Sequence, residues 1–160
     1  MNYWLLKSEP SEFSIDDLEA SPKRETCWDG VRNYQARNFM RDAMAKGDLA
    51  FFYHSNCAEP GIAGIARIVS AAYPDHTAFD PTDNHFDAAS DPDNPRWYMV
   101  DVRYERKLLR PISLKEMKLY KDNTLQELAL LRRGNRLSVM PVTAEQWNFV
   151  VELEQRKPVA

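Results

Sequence analysis

The sequence predicts an α+β domain built on a small, curved mixed sheet or barrel of about five strands, edged by several short helices. Three observations carry this. The chain has 160 residues, 44% hydrophobic and 28% charged, the balance of one globular domain with a full core. Its strand signals are short and bounded by Gly, Pro, Asn and Asp. They do not alternate regularly with helices, which excludes a doubly wound nucleotide-binding sheet. One domain is expected over residues 1–155, with a loose tail over 156–160.

The elements follow in order. Tyr3-Trp4-Leu5-Leu6 reads as a buried strand that ends by Pro10. Ser14-Ile15-Asp16-Asp17 opens a short capped helix. Trp28-Asp29-Gly30 is a turn signal, and a helix follows from Asn33 to Ala45, closed by Gly47. Leu49–Tyr53 and Ile62–Val69 are strands, with Gly64 marking a bulge or a close backbone approach. Residues 74–95 hold four prolines and form a long loop. Trp97–Glu105 alternates as a strand, with Tyr98, Val100, Val102 and Tyr104 on one face. Ser113–Glu116 and Thr124–Glu127 read as capping boxes that open two helices, the second ended by Gly134. Leu137–Val142 carries Pro141 and is expected at a sheet edge. Thr143–Gln146 caps a terminal helix whose Trp147, Val150 and Val151 face inward.

Composition excludes several classes. Two cysteines, Cys27 and Cys57, are too few for a disulfide scaffold. The opening segment has no signal-peptide pattern and no apolar run reaches membrane-span length, so the expected compartment is a reducing cytoplasm, with no membrane partner. The sequence contains no nucleophile elbow, P-loop, HExxH or GxGxxG motif. His54 and Cys57 could form a base and nucleophile pair, but nothing nearby is set to orient them. His76 and His85 sit among aspartates, where solvated loop charge competes with a weak metal site.

The net charge of −3 hides a division. Between Arg67 and Arg96 there are six aspartates and no Lys or Arg, and without that stretch the remainder carries +3. Basic residues cluster as Arg103, Arg106, Lys107 and Arg110, and as Arg132, Arg133 and Arg136. Such clusters can meet phosphates, and a solvated basic face is the competing reading.

The site is argued from the helix Asn33–Ala45. At 100° per residue, Ala36, Met40, Ala43 and Met44 form its apolar stripe, and Asn33 and Arg37 fall on the same stripe. Inward polar groups need partners. One reading is a core ion pair with a carboxylate such as Glu9; the other is a ligand site. Trp28 before the helix, Tyr53-His54-Ser55 at a strand end, and Arg136 and Ser138 beside Leu137 could converge on a concave pocket with an aromatic wall. Such a wall suits a planar base, stacked on its face and read along its edge. Core packing is the competing role for Trp28.

Several segments carry a resemblance. These are Tyr3-Trp4-Leu5-Leu6-Lys7-Ser8-Glu9-Pro10 and Trp28-Asp29-Gly30-Val31-Arg32-Asn33-Tyr34-Gln35-Ala36-Arg37-Asn38, followed by Gly47-Asp48, Tyr53-His54-Ser55, Gly61-Ile62-Ala63-Gly64-Ile65 and Arg136-Leu137-Ser138-Val139-Met140-Pro141-Val142. In that order, from residue 2 to about residue 153, the chain resembles the EVE domain family, a relative of the PUA and YTH domains. The resemblance implies a PUA-like fold, a twisted five- or six-stranded β-barrel flanked by short helices. It also implies a pocket for a modified base, such as a modified cytosine or adenine, in single-stranded DNA or RNA or flipped out of a strand. By comparison with the aromatic cage of the YTH relatives, Trp28 would be a cage wall. Lys7, Ser8 and Asn33 would lie along the base edge, with Arg37 bracing the site. Tyr53, His54 and Ser55 would line the mouth, and Val31 and Ser138 belong to the same pocket. The second cage wall is open among Phe79, Phe86 and Trp97, with Met40 or Ile62 as further choices. Arg32, Arg133 and Arg136 are the expected phosphate contacts. No cofactor or metal is implied.

The expected function is therefore a non-enzymatic reader of a modified nucleobase. The alternatives are an enzyme that alters or removes such a base with His54 or Cys57, and a protein-interaction module that uses the acidic loop.

Overall fold

The apolar runs of the sequence lie in a sheet covered on both faces. The computed structural model describes residues 1–158. In chain order the strands are β1 (Tyr3–Ser8), β2 (Glu25–Cys27), β3 (Leu49–His54), β4 (Gly61–Ile68), β5 (Tyr73–Pro74), β6 (Tyr98–Met99), β7 (Asp101–Ser113) and β8 (Val139–Val142). Six of them form one curled sheet in the order β2-β7-β4-β3-β1-β8, while β5 and β6 pair separately. The β1–β3 pair is parallel and its other neighbours are antiparallel, so the sheet is mixed. Register shifts at Phe52/Tyr53 and around Gly64 bend it, as bulges do. Gly64 is required by closeness: a Cβ there would lie 2.8 Å from the Arg106 carbonyl oxygen and the Ile15 side chain.

Burial on both faces explains why β1 and β3 read as continuous apolar runs rather than alternating ones. Trp4, Leu6, Ala50 and Phe52 pack on one face with Trp28, Val31 and Met40. Leu5, Phe51 and Tyr53 pack on the other with Ile62, Ile112 and Trp147. The helices cover these faces. They are α1 (Ile15–Ala20), α2 (Tyr34–Asn38), α3 (Leu114–Lys118) and α4 (Ala144–Leu153). Ser14 and Thr143 form reciprocal capping boxes with Asp17 and Gln146. Trp147 of α4 stacks on Phe51 at 3.8 Å between ring centroids and buries that face.

The sequence reading differs from the structure in four elements. The helix expected over Asn33–Ala45 is α2 followed by a π turn over Phe39–Ala43, in which the Met44 amide donates to the Phe39 carbonyl. Thr124–Glu127 opens no helix; a chain of turns leads to a 3-10 turn at Ala129–Leu131, and Leu125, Leu128 and Leu130 are buried along it. Tertiary burial of those three leucines overrides the local capping signal. Ser113 caps α3, but Glu116 turns from the reciprocal half of that box to a bidentate pair with Arg110 at 2.7 and 2.8 Å. The strand expected to end at Glu105 divides at Val100 and then runs to Ser113, since its pairing with β4 outlasts its alternation. Pro141 lies in β8, which pairs only with β1 at the sheet edge. Of the tail expected over 156–160, the Arg156 carbonyl accepts from Arg110 at 2.7 Å, while residues 159–160 lie outside the described residues.

Two polar groups hold the frame, one buried and one half-buried. Asp48 is 3% exposed and accepts from the Trp4 indole at 2.9 Å, the Ala45 amide at 2.9 Å and the Asn2 amide at 3.1 Å. The His54 ring accepts from the Ile15 amide at 3.1 Å, which ties the start of α1 to the end of β3. Burial holds that imidazole below its ordinary value of 6.5.

Two outcomes are expected. Asp48→Ala strands the Trp4 and Ala45 N–H donors in the core and lowers unfolding free energy by about 2–4 kcal/mol in urea titration. For His54, the folded pKa is depressed, so the unfolded chain binds the extra proton first as pH drops below 6.5. Its contribution is full above that value and lost below it. The urea midpoint therefore falls as pH drops through about 6.5, and His54→Gln, which keeps an acceptor, flattens that fall.

Candidate functional site

A short β2 delivers the site. Its last residue, Cys27, leads into Trp28, whose amide donates to the Val100 carbonyl at 2.8 Å. The Trp28 indole stands edge-on to Phe52 at 5.4 Å and to Phe13 at 6.5 Å. Gly30 then turns the chain with φ +78°, and its amide donates to Asp75 at 2.8 Å. A Cβ at Gly30 would lie 2.6 Å from the His85 ring, so that ring rests directly on the turn.

The acidic loop is therefore part of the site. Asp75 is wholly buried, and it accepts from Gly30, from Arg32 at 3.0 Å, and from the Thr77 amide and hydroxyl. Those donors hold its carboxyl below the usual range against the opposing effect of its burial, which is the largest single influence. The remaining Arg32 donors reach the Val31 and His85 carbonyls and the Thr77 hydroxyl. Above them runs a column: Arg32 over Trp97 at 5.5 Å, Trp97 stacked on Tyr34 at 4.8 Å, and Arg37 over Tyr34 at 4.8 Å.

Between β1, β2 and this turn lies a cleft of about 380 Å³. Trp28, Phe13 and Val31 form its apolar wall. Ser8, Thr26, Asp29 and Ser138 supply polar groups, with His85 and Glu12 at its lining as well. Burial, and then the Asp75 charge, push the Asp29 carboxyl upward. Burial, and then the Asp29 charge, push the Cys27 thiol upward, which disfavours a thiolate nucleophile. Burial lowers the pKa of Lys7. The volume and the mixture of one aromatic wall with a few polar groups fit a planar small-molecule group.

Of the residues expected from the sequence, Lys7, Ser8, Trp28, Val31 and Ser138 line this cleft. Asn33, Arg37, Tyr53, His54, Ser55 and Ile62 do not. Asn33 is exposed, because it is the N-cap of α2: its extended backbone takes it off the helical stripe, and its side chain accepts from the Ala36 amide. Arg37 donates to the Arg96 carbonyl and to Asn38 rather than to Glu9, which takes Asn56. Tyr53 and Ile62 point to the opposite face of the sheet, where burial raises the Tyr53 pKa to about 12. Ser55 continues past β3, with its amide donating to the Ser8 carbonyl.

The second aromatic lining the cleft is Phe13; Phe79, Phe86 and Trp97 are not among its lining residues. Trp97 belongs to the column and donates to Asp87 at 2.7 Å. Met40 is fully buried in the core. Glu12, Phe13, Thr26, Cys27, Asp29 and Gly30 were missed as lining; Cys27 and Asp29 are the immediate neighbours of Trp28, the one signal that could have found them. His85 comes from the loop with no local signal. Arg32, expected at phosphates, is occupied within the protein, whereas Arg133 and Arg136 are exposed.

The geometry also bears on catalysis. The His54 acceptor nitrogen is engaged by Ile15, and the Cys57 sulfur approaches the His54 carbonyl at 3.9 Å rather than its ring. Among the described residues no group of three or more His, Cys, Asp and Glu is arranged to hold a metal. Gly30→Ala tests the wall. It is expected to displace His85 and to lower stability by about 1–3 kcal/mol, with faster amide exchange confined to the acidic loop.

Relatives match over nearly the whole chain. Thymocyte nuclear protein 1 of Danio rerio is 53% identical over 171 residues, covering 98% of this chain and 73% of its own length. A crystal structure of the human THYN1 protein in complex with 5-methylcytosine-containing DNA superposes with a TM-score of 0.95 at 50% identity, covering 99% of this chain and all of that one. A YTH domain of Zygosaccharomyces rouxii shares the PUA-like fold at a TM-score of 0.52 and 10% identity, covering 96% of this chain and 86% of that one. The EVE domain pattern matches residues 2–153, and the chain belongs to the EVE domain family.

Proposed function

We propose that this chain binds a modified nucleobase, displaced from its strand, and leaves it chemically unchanged. The observation that carries the reading is the human relative, half identical over the full fold and crystallised with 5-methylcytosine-containing DNA. The cleft supports it. A base entering it would stack beside Trp28 and Phe13 and be read along its edge by Ser8, Thr26, Asp29 and Ser138. Modified cytosine is the favoured base, since a carboxylate accepts from the cytosine amino group and Asp29 supplies one. Val31 offers an apolar surface for a methyl group. The non-enzymatic part of the proposal rests on His54, whose ring nitrogen is engaged by the Ile15 amide, on Cys57, whose sulfur approaches the His54 carbonyl rather than its ring, and on the raised pKa of the Cys27 thiol.

The test is anisotropy with a labelled oligonucleotide carrying one 5-methylcytosine, against its unmodified twin. The modified strand is expected to bind more tightly. Stacking is worth about 1–3 kcal/mol per base, so Trp28→Ala is expected to weaken binding roughly 5- to 150-fold. Trp28→Phe, which keeps a ring in the core, separates lost stacking from lost packing by retaining most of the affinity. Equal binding by Trp28→Ala and wild type overturns the cleft as the base site. Nucleoside analysis of the recovered strand is expected to return the modified base intact; a released or altered base overturns the non-enzymatic reading.

A further inference from the structure

The two basic runs of the sequence meet different fates in the fold. Arg103, Arg106, Lys107 and Arg110 of β7 are each held by an internal carboxylate: Glu25, Glu154, Asp16 with Glu19, and Glu116. Glu154 and Glu116 are buried, so two of these arginines serve as counter-ions of the core. All four charges of that run are set against carboxylates of the chain, Arg106 and Arg110 against buried ones and Arg103 and Lys107 against partly exposed ones. The second run has less opposing charge. Arg132 only approaches Glu127 at 3.8 Å, with both side chains more than 60% exposed, a pair of little energetic weight. Arg133 and Arg136 are exposed and enter no ion pair among the described residues, and the same holds for Lys118 and Lys121.

Four of these side chains share one place. Lys118, Lys121, Arg132 and Arg133 line a groove of about 400 Å³ floored by Leu130 and Leu131. Residues 114–138 carry six basic and three acidic side chains in a chain whose net charge is −3. Of the three acids, Glu116 is already neutralised by Arg110, which leaves Asp122 and Glu127 opposite the excess. A basic-rimmed groove with an apolar floor is the form that tracks a nucleic-acid backbone.

Topology sets the groove beside the cleft. Ser8 of β1 pairs with His54 of β3, His54 with Gly61 of β4, and Gly61 with Ser113 of β7, so these residues mark one end of the sheet. The segment with the groove leaves that end at Ser113, through α3, and returns to it at Ser138, whose carbonyl accepts from Lys7 at 2.9 Å. Ser138 and Lys7 both line the cleft. From Arg133 to Ser138 the chain spans at most about 17 Å, the rise of roughly five nucleotides of a strand. The acidic loop reaches the cleft from its other side, through His85 on Gly30.

We infer that the groove of Lys118, Lys121, Arg132 and Arg133, continued by Arg136, binds the sugar–phosphate backbone of the strand whose base enters the cleft. This rests on the base-reading proposal for its direction. The strand leaves the cleft past Ser138 toward the groove, and the acidic loop repels it on the His85 side. Phosphate contact is thus made by the run that the fold leaves unpaired.

The test uses the full chain and the triple variant Lys118→Ala, Lys121→Ala, Arg133→Ala. All three positions are exposed, and an unchanged melting curve verifies the fold. Two probes are titrated: a labelled single strand of about twenty nucleotides with one central 5-methylcytosine, and free 5-methyldeoxycytidine, which has no phosphate. The variant is expected to bind the strand roughly tenfold or more weakly at low salt. Its slope of log affinity against log salt becomes shallower by about 2, the loss expected for three phosphate contacts. Nucleoside binding is expected to be unchanged. Equal affinity and equal slope for the strand overturn the groove and leave the cleft reading standing if the nucleoside still binds. A strand that binds through the groove while wild type ignores the nucleoside supports the groove and overturns the cleft reading. Failure of wild type to bind either probe overturns both.

Discussion

The site depends on one buried carboxylate. Asp75 sits at the head of an acidic loop, fully buried, and collects N–H donors from Gly30 and Arg32 as well as from its own turn. A buried carboxylate is stable only when so satisfied. Satisfying it joins two segments more than forty residues apart, the Trp28–Gly30 turn and the loop. The position of the aromatic wall, the seat of His85 and the direction of Arg32 all follow from that bond set. Asp48 does similar work at the opposite end of β1, where it receives Trp4, Ala45 and Asn2.

Charge distribution then follows from which basic residues the core requires. Long side chains on β7 lie over carboxylates of α1, of α3 and just past α4, and the charges of Arg106 and Arg110 are set against buried ones. Arg32 is similarly occupied by the acidic loop. The basic residues of the 114–138 segment cover turns that bury leucines rather than carboxylates, and their charge remains outward. An acidic chain thereby keeps a positive face. The same logic separates two of the three histidines: His54 is a half-buried acceptor that fastens α1, and His85 is a ring resting on a glycine.

Much of the fold was legible because its signals are local. Ser14 and Thr143 cap helices where the residue pattern places them, Pro141 marks an edge strand, and the apolar runs of β1 and β3 announce burial on both faces. Thr124 shows the limit. Its capping signal is as good as that of Thr143, but the burial of Leu125, Leu128 and Leu130 favours turns. Part of the cleft was legible for the same reason. Lys7, Ser8, Trp28, Val31 and Ser138 lie in segments whose motif resembles the EVE family. Asn33 was misplaced because a cap residue lies outside the helical period, and Tyr53 and Ile62 because strand alternation sends them to the other face.

By itself, then, the sequence determined the family and most of the element types, and it directed attention to the segment around Trp28, since each of these is encoded in contiguous residues. Only the tertiary structure decided that Phe13 rather than Trp97 completes the wall, that the acidic loop closes one side of the cleft, and that one basic run is occupied while the other is open. The physical reason is that a pocket wall and a free charge are defined by partners distant in sequence. Whether an arginine can meet a phosphate depends on which carboxylate the fold has already set against it.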